Sequence, residues 1–154
     1  MNSKKSIYQI LVLFLPLLGS SCATLDQSTI KNINYGTSFG MCVGYCKHDI
    51  NLTKDSINSN CSGWNNSVTP KSETVVQSAA IWDDLKVKFN STAFFNKKEV
   101  IGCPDCADGG AEWVEIEMSD NNKHKVTFEY QNEPEELKEF VSTLRKISNE
   151  HQCN

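Results

Sequence analysis

The stretch AEWVEIEMSDNNKHKVTFEY, residues 111–130, is the part of the chain whose pattern decides the fold. Apolar and polar residues alternate on both sides of its centre. The apolar positions are Val114, Ile116, Met118, Val126, Phe128 and Tyr130. A period of two gives a strand one apolar face and one polar face. Because the link SDNNK favours a turn, the stretch predicts an antiparallel β-hairpin.

Upstream of the hairpin, the same reasoning predicts short strands and a helix. The strand signals are Ile33 with Tyr35, then the alternation of Cys46, His48, Ile50 and Leu52, then INSNCSGW at 57–64 as a short edge strand. From Ser78 onward, apolar residues recur every three or four positions. That spacing predicts a helix over 78–89 with Ser78 as its N-cap.

Residues 132–147 predict a final helix. Asn132 is placed to cap it, acidic residues fill its first turn, and Arg145 and Lys146 suit the negative end of the helix dipole. Its apolar stripe consists of Leu137, Phe140, Val141, Leu144 and Ile147. Such a stripe is more typical of packing on the protein's own sheet than of docking a partner. The whole order predicts an α+β domain, an antiparallel sheet with two helices packed on one face, stapled by disulfides.

The N-terminus reads as an export signal. Lys4 and Lys5 precede an apolar run over 7–18 and a group of small residues, which is the order of a signal peptide, here 1–21. The small residues end at Cys22, so the leader resembles a lipobox, although Gly19 stands where that motif usually has Leu. We expect Cys22 to carry lipid and to anchor the protein to the membrane of a bacterial cell envelope. Ordinary signal-peptidase cleavage is the alternative.

The remaining chain suits one domain with an acidic balance. Residues 22–31 are polar and unpatterned and predict a tether, 32–150 the globular domain, and 151–154 a tail. Without Lys4 and Lys5 the chain has 13 basic and 19 acidic side chains, a formal balance of −6. Nucleic acid is therefore not expected as a partner, and the composition implies no cofactor.

The seven cysteines favour disulfides. With Cys22 lipidated, six remain, and an even set in an exported chain is most simply three disulfides. They are Cys42, Cys46, Cys61, Cys103, Cys106 and Cys153. Pairing stays open among 15 connectivities. Because a bond across a long loop stabilises more than one within a short loop, we expect the 42–46 cluster to cross-link to the 103–106 cluster.

Metal and redox chemistry are the alternatives for these cysteines. The thiols of Cys42, Cys46, Cys103 and Cys106 would supply the four ligands of a zinc site. The Cys103–Cys106 spacing also fits a redox dithiol, although a strand follows it and no helix N-terminus lowers its pKa. Beside this loop, Asp105, Asp108 and Glu112 offer oxygen ligands for calcium. Their spacing matches no EF-hand, so turn chemistry is favoured.

The order of motifs resembles small bacterial families of unknown function. Those families open with Cys-Phe-Gly-x-Cys-Pro-x-Tyr and include many lipoproteins of Bacteroidetes-like bacteria. The matching positions are Phe39, Gly40, Cys42 and Tyr45, and the departures are Ser38 and Gly44. The resemblance covers residues 33–148 and implies a fold and an envelope address without an assigned activity. A shorter likeness, in the hairpin and last helix, is to emfourin-type metalloprotease inhibitors.

No hydrolase or phosphate-binding motif occurs in the sequence, so the prediction is a non-enzymatic protein. His48, on the apolar face of its strand, is expected to be a satisfied, partly buried ring. Two function classes stay open. A module that binds a protein or a surface polymer would expose Trp64 or Trp113. A small inhibitor of a secreted protease would instead present a rigid loop, either 103–110 or 40–46.

Overall fold

The computed structural model of the chain describes residues 29–153. The predicted leader, Cys22 and most of the predicted tether lie outside the described residues. The first described strand begins at Ile30, two residues inside the predicted tether and before the expected start of the domain. Its side chain is already buried in the core, so the folded unit takes in the end of the tether.

One antiparallel sheet of six strands organises the described residues. The strands are β1 (Ile30–Ser38), β2 (Lys47–Leu52), β3 (Ser56–Ser62), β4 (Lys71–Val76), β5 (Ala111–Met118) and β6 (Lys123–Glu129). Their order across the sheet is β4-β3-β2-β1-β5-β6, and β5 with β6 forms the predicted hairpin. The expected α+β class with an antiparallel sheet is confirmed.

Three helices accompany the sheet in the described residues. They are α1 (Ala79–Lys88), α2 (Ser91–Phe95) and α3 (Lys138–Glu150). α1 begins as predicted, since the Ser78 hydroxyl accepts a hydrogen bond from the Ile81 amide at 3.3 Å. α2 was not predicted. It is a single turn capped by Asn90, whose side chain accepts from the Ala93 amide at 2.9 Å.

The hydrophobic core joins residues of the strands with residues of the helices. All five members of the predicted stripe near α3 are buried, as are Trp82 and Leu85 of α1. The largest buried side chains from the strands are Tyr35, Phe128, Ile33, Ile50, Leu52 and Ile116. Alternate residues of β2, β3, β5 and β6 face this core, which is the alternation visible in the sequence.

Two strand predictions need correction. The segment around 56–62 is an interior strand, because β4 pairs with it on the side away from β2. β4 itself was missed: five of its six side chains are exposed, so its sequence shows no apolar alternation. Its strand conformation comes from hydrogen bonds to β3 and not from burial.

The start of the last helix also differs from the prediction. A 3-10 turn occupies Glu135–Leu137, α3 begins at Lys138, and it runs on to Glu150, so Arg145 does not lie in its last turn. Asn132 caps no helix. Its side-chain amide donates to the Glu129 carboxylate at 2.8 Å. A tertiary contact explains why the helix starts later than the local capping signal predicts. The segment before the helix is fixed to the sheet, because the Gln131 amide donates to Glu112 at 2.9 Å.

One end of the sheet collects the features that matter below. The strand register places Ser38, Lys47, Ser62, Ala111 and Glu129 side by side, where β1 and β3 end and β5 begins. We call this the distal end, because β1 separates it from the tether. All three disulfides lie there or tie the C-terminus to it.

Candidate functional site

The disulfides at the distal end confirm that the six cysteines pair, but their connectivity overturns the cross-linking prediction. Cys42 bonds to Cys46 and Cys103 to Cys106, with Cα atoms 5.5 and 5.4 Å apart. Cys61 bonds to Cys153 across 92 residues, with Cα atoms 6.1 Å apart. The predicted tail is therefore tied to β3.

The two cysteine loops do meet, although no disulfide joins them. The Asp105 carboxylate accepts from the Gly40 amide at 3.1 Å and from the Gly110 amide at 3.2 Å. The rings of Phe39 and Tyr130 also pack edge to face, 4.9 Å between centroids. The prediction failed because loop entropy says how strongly a bond stabilises, whereas the fold decides which sulfurs come within reach.

The disulfides and the contacts of Asp105 bear on the predicted alternatives of a zinc site and a calcium site. The four sulfurs considered for zinc are shared between two disulfides. The three carboxylates considered for calcium are not brought together, since Asp105 caps loop amides while Glu112 is fully buried elsewhere. Within residues 29–153, no group of three or more His, Cys, Asp and Glu side chains is arranged to hold a metal ion.

A buried charged cluster lies behind the distal end. Glu112 of β5 has no exposed surface, and Arg145 of α3 donates to its two oxygens at 2.9 Å each. Arg145 also donates to Glu133 at 2.6 Å. The Tyr35 hydroxyl donates to Glu112 at 2.7 Å, so the carboxylate is satisfied from three sides with the Gln131 amide. The cluster joins sheet, final helix and the segment between them.

The electrostatics of this cluster follow from burial and pairing. Burial and the neighbouring Glu112 raise the pKa of Tyr35 well above its ordinary value, so its phenol stays protonated. Burial acts to lower the pKa of Arg145, but the hydrogen bonds that it donates to Glu133 and Glu112 outweigh burial, and the pKa rises. Sequence reasoning treated Glu112 as a loop acid. Its position on the apolar face shared by Val114 and Ile116 was the signal that it needs a buried partner.

A cleft of about 190 Å³ opens beside the cluster, between the distal end of the sheet and the C-terminal half of α3. Aromatic rings of Tyr35, Phe39, Tyr45 and Tyr130 line it, together with the disulfide cysteines Cys46, Cys61 and Cys153. Short polar side chains and Arg145 complete the lining. Sequence reasoning did not predict this cleft, because its walls come from five separate segments.

His48 forms the base of the cleft as the predicted satisfied ring. Its Nε2 lies 3.0 Å from Ser59 Oγ and its Nδ1 lies 3.1 Å from Ser148 Oγ. Ser59 uses its only proton on the carbonyl of His151 at 2.7 Å. His48 therefore donates from Nε2, and in the neutral imidazole, which the lowered pKa of the ring favours, Nδ1 accepts from Ser148.

This arrangement predicts a pH dependence of stability. Burial lowers the pKa of His48 below its ordinary value of about 6.5, so the unfolded chain binds the proton more readily than the folded one. Folding stability should therefore fall as the pH drops below about 6.5. Denaturant unfolding at pH 7.5 and 5.5 measures this loss.

The control separates His48 from other groups that titrate. The variant His48→Gln should show a smaller loss between the two pH values than the wild type does. Equal losses in wild type and His48→Gln would show that another group causes the pH dependence.

Neither tryptophan forms the expected exposed patch. Trp64 is half-buried; its Nε1 donates to the Phe39 carbonyl at 2.7 Å and the Lys47 ammonium lies 3.9 Å above its ring. Trp113 covers the far face of the sheet over Gly36, where an added Cβ would clash with the indole. Its Nε1 donates to Asn34 at 3.0 Å. Both rings act mainly as covers for backbone.

The exposed apolar side chains lie elsewhere. Met41 is 79% exposed and Val43 is fully exposed, both in the loop that Cys42 and Cys46 close. The sequence signal was present: two apolar residues stand among glycines and cysteines in a bend, where no core can cover them. We call residues 39–46 the apolar loop.

In comparisons with known proteins, no family model and no curated protein matches this chain. In the part of the chain that the structure describes, no helix is long and apolar enough to cross a membrane.

Proposed function

We propose that this chain is an exported, lipid-anchored protein of a bacterial cell envelope that acts without catalysis as a binding module, and that its apolar loop contacts a protein partner. The exposure of Met41 and Val43 carries the proposal. Exposed apolar side chains gain free energy when a partner covers them, about 25 cal/mol per Å² buried. The resemblance to envelope lipoprotein families supports the proposed localisation and gives no support to the binding function.

Preorganisation of the apolar loop supports a role in binding. The disulfide closes it, the Phe39 amide donates to the Cys46 carbonyl at 3.0 Å, and the Gly40 amide donates to Asp105. Trp64 holds the Phe39 carbonyl from the other side. A loop already fixed in one conformation loses little entropy when it binds.

The direction of β1 supports a partner that approaches from outside the membrane. β1 has nine residues and spans about 30 Å between the tether and the apolar loop. With lipid on Cys22, the loop would face away from the membrane surface. In the proposed arrangement α1 and α3 cover one face of the sheet, which is supported by the shared core of Trp82, Leu85 and Phe140 with the strands.

Site-specific photo-crosslinking in the producing cells tests the contact. A photoreactive residue at position 43 should give a discrete cross-linked product, whereas the same residue at position 87 should give none. Val87 is a matched control, because it is 86% exposed but lies on α1, away from the distal end. Equal products at both positions, or none at either, would contradict a partner at the apolar loop.

The alternative function is inhibition of a secreted protease. The observation that favours it is again the apolar loop, since a rigid, exposed segment can enter a protease cleft. The purified protein in stoichiometric excess should then block at least one member of a panel of metallo, cysteine and serine proteases, and the double variant Met41→Ser/Val43→Ser should not. Full activity of every protease would remove this alternative.

The lipid anchor makes its own prediction. The variant Cys22→Ser should not incorporate a labelled fatty acid and should leave the membrane fraction. The reason is that the acylated Cys22 is the only proposed lipid anchor. The control is Cys106→Ser, which should keep both the label and the membrane fraction. Wild type without acyl label would establish ordinary signal-peptidase cleavage instead.

A further inference from the structure

We infer that the cleft at the distal end is a binding site for one neutral sugar ring, either a free monosaccharide or a unit of a polysaccharide. The inference concerns the cleft and not the exposed Met41 and Val43 of the apolar loop, so it stands whether or not those two side chains bind a protein. Three features carry it: aromatic walls, unpaired hydroxyl groups, and the absence of net positive charge.

The aromatic walls suit the apolar face of a sugar. Phe39, Tyr45 and Tyr130 come from the apolar loop and the end of β6, and all three rings are half-buried. Phe39 and Tyr130 are fixed against each other by their edge-to-face contact. Tyr45 is fixed by its hydroxyl, which donates to the Thr69 carbonyl at 3.1 Å. Rigid rings offer contact area at little cost in conformational entropy.

The polar groups in the cleft suit the hydroxyls of a sugar. Among residues 29–153, the hydroxyls of Thr37 and Tyr130 have no hydrogen-bond partner, although both line the cleft. The Gln152 side-chain amide donates to Asn149 Oδ1 at 3.1 Å, which leaves the Asn149 Nδ2 donor and the Gln152 Oε1 acceptor to a ligand. Donors and acceptors are thus both present, as a polyhydroxyl ring requires.

Charge excludes the obvious competitors. Arg145 is the cation of the cleft, but Glu112 and Glu133 both pair with it, so the group as a whole is not positive and gives an anion no advantage. The carboxylates of Glu112 and Glu133 are both paired with Arg145, so they are not free to bind a cation. Burial lowers the pKa of His48 and so favours its neutral form.

Size sets the length of the ligand. At about 190 Å³ the cleft is smaller than the usual range of about 300–1,000 Å³ for sites that enclose a drug-sized molecule. One ring fits the cleft, and further units of a chain would extend into solvent over the exposed Asn149 and Gln152. We expect weak binding, with a Kd on the order of 1 mM.

Nuclear magnetic resonance titration of the mature protein, with its disulfides intact, tests the inference. The probes are glucose, galactose, mannose and N-acetylglucosamine, with glucuronic acid as the charged comparison. At least one neutral sugar should shift the amide resonances around Thr37, Tyr130 and Asn149. A short oligosaccharide of the same sugar distinguishes a polysaccharide unit, which binds more tightly, from a free monosaccharide, which does not.

Two conservative variants make the test specific. Tyr130→Phe keeps the ring and removes the unpaired hydroxyl, and should weaken binding about three- to tenfold. Thr127→Val also removes one hydroxyl, but from a β6 residue that does not line the cleft, and should leave the Kd unchanged. The inference is overturned if no neutral sugar shifts these resonances at about fiftyfold the expected Kd, if Tyr130→Phe binds like wild type, or if glucuronic acid binds best.

Discussion

Replacing Arg145 by methionine should lower the free energy of unfolding by about 3–5 kcal/mol. The variant fills a similar volume but leaves Glu112, which has no exposed surface, without its cation. A buried, unpaired carboxylate either keeps its charge at a large desolvation cost or takes up a proton. Both outcomes destabilise the folded state at neutral pH. Denaturant unfolding at pH 7 measures the loss.

Two further results identify the unpaired Glu112 as the cause. The deficit of Arg145→Met should narrow in acid, because a protonated Glu112 no longer buries an unpaired charge. The double variant Glu112→Gln/Arg145→Met should be more stable than Arg145→Met alone, since it removes the charge as well as its partner.

A surface ion pair supplies the matched control for Arg145. Lys138 pairs with Glu135 at 3.3 Å, but their side chains are 61% and 83% exposed. Such pairs are screened by water and salt, so Lys138→Ala should unfold like wild type within error. A loss in Arg145→Met no larger than in Lys138→Ala would show that the buried cluster does not hold α3 to the sheet.

Removing the Cys61–Cys153 disulfide should cost about 4–5 kcal/mol in the double variant Cys61→Ala/Cys153→Ala. This bond closes a loop with a sequence separation of 92, so breaking it restores a large entropy to the unfolded chain. It also holds the residues after α3 against β3, where Ser59 bonds to the His151 carbonyl. Thermal and denaturant unfolding of the oxidised proteins measure the loss.

The disulfide at Cys103 and Cys106 is the matched comparison. It closes a loop with a separation of only 3, so Cys103→Ala/Cys106→Ala should cost about 2 kcal/mol. The test is the order of the two stability losses, with the larger loss expected for Cys61→Ala/Cys153→Ala. If both double variants lose equal stability, loop entropy is not what the long disulfide contributes, and local contacts of the two bonds would have to explain the result.

Periodicity explains which elements could be predicted. The hairpin, α1 and the stripe of the last helix each bury every second or every third and fourth residue, so burial left a pattern in the sequence. β4 left none, because five of its six side chains face solvent. The beginning of α3 was misplaced for a different reason: Glu112 holds the Gln131 amide, and this long-range bond overrides the local capping signal at Asn132.

The candidate site was predictable only in part. The sequence indicated that the cysteines pair and that His48 is a satisfied ring, and it offered 40–46 as one of two loops that an inhibitor would present. It did not indicate the cleft, and the exposure of Met41 and Val43 was missed although their place in a bend of glycines and cysteines signalled it. Trp64 and Trp113 looked like binding residues by type, but each has a backbone or glycine surface to cover, which the sequence cannot show.

By itself the sequence determined the α+β class, the hairpin, the pairing of six cysteines and the expectation of an exported, anchored chain, because these depend on composition and on periods of two and 3.6 residues. The tertiary structure alone decided which sulfurs bond, that Glu112 is buried against Arg145, and that four aromatic rings enclose a cleft. Those features join residues far apart in the chain. Their distances depend on strand register and helix packing, which no local pattern encodes.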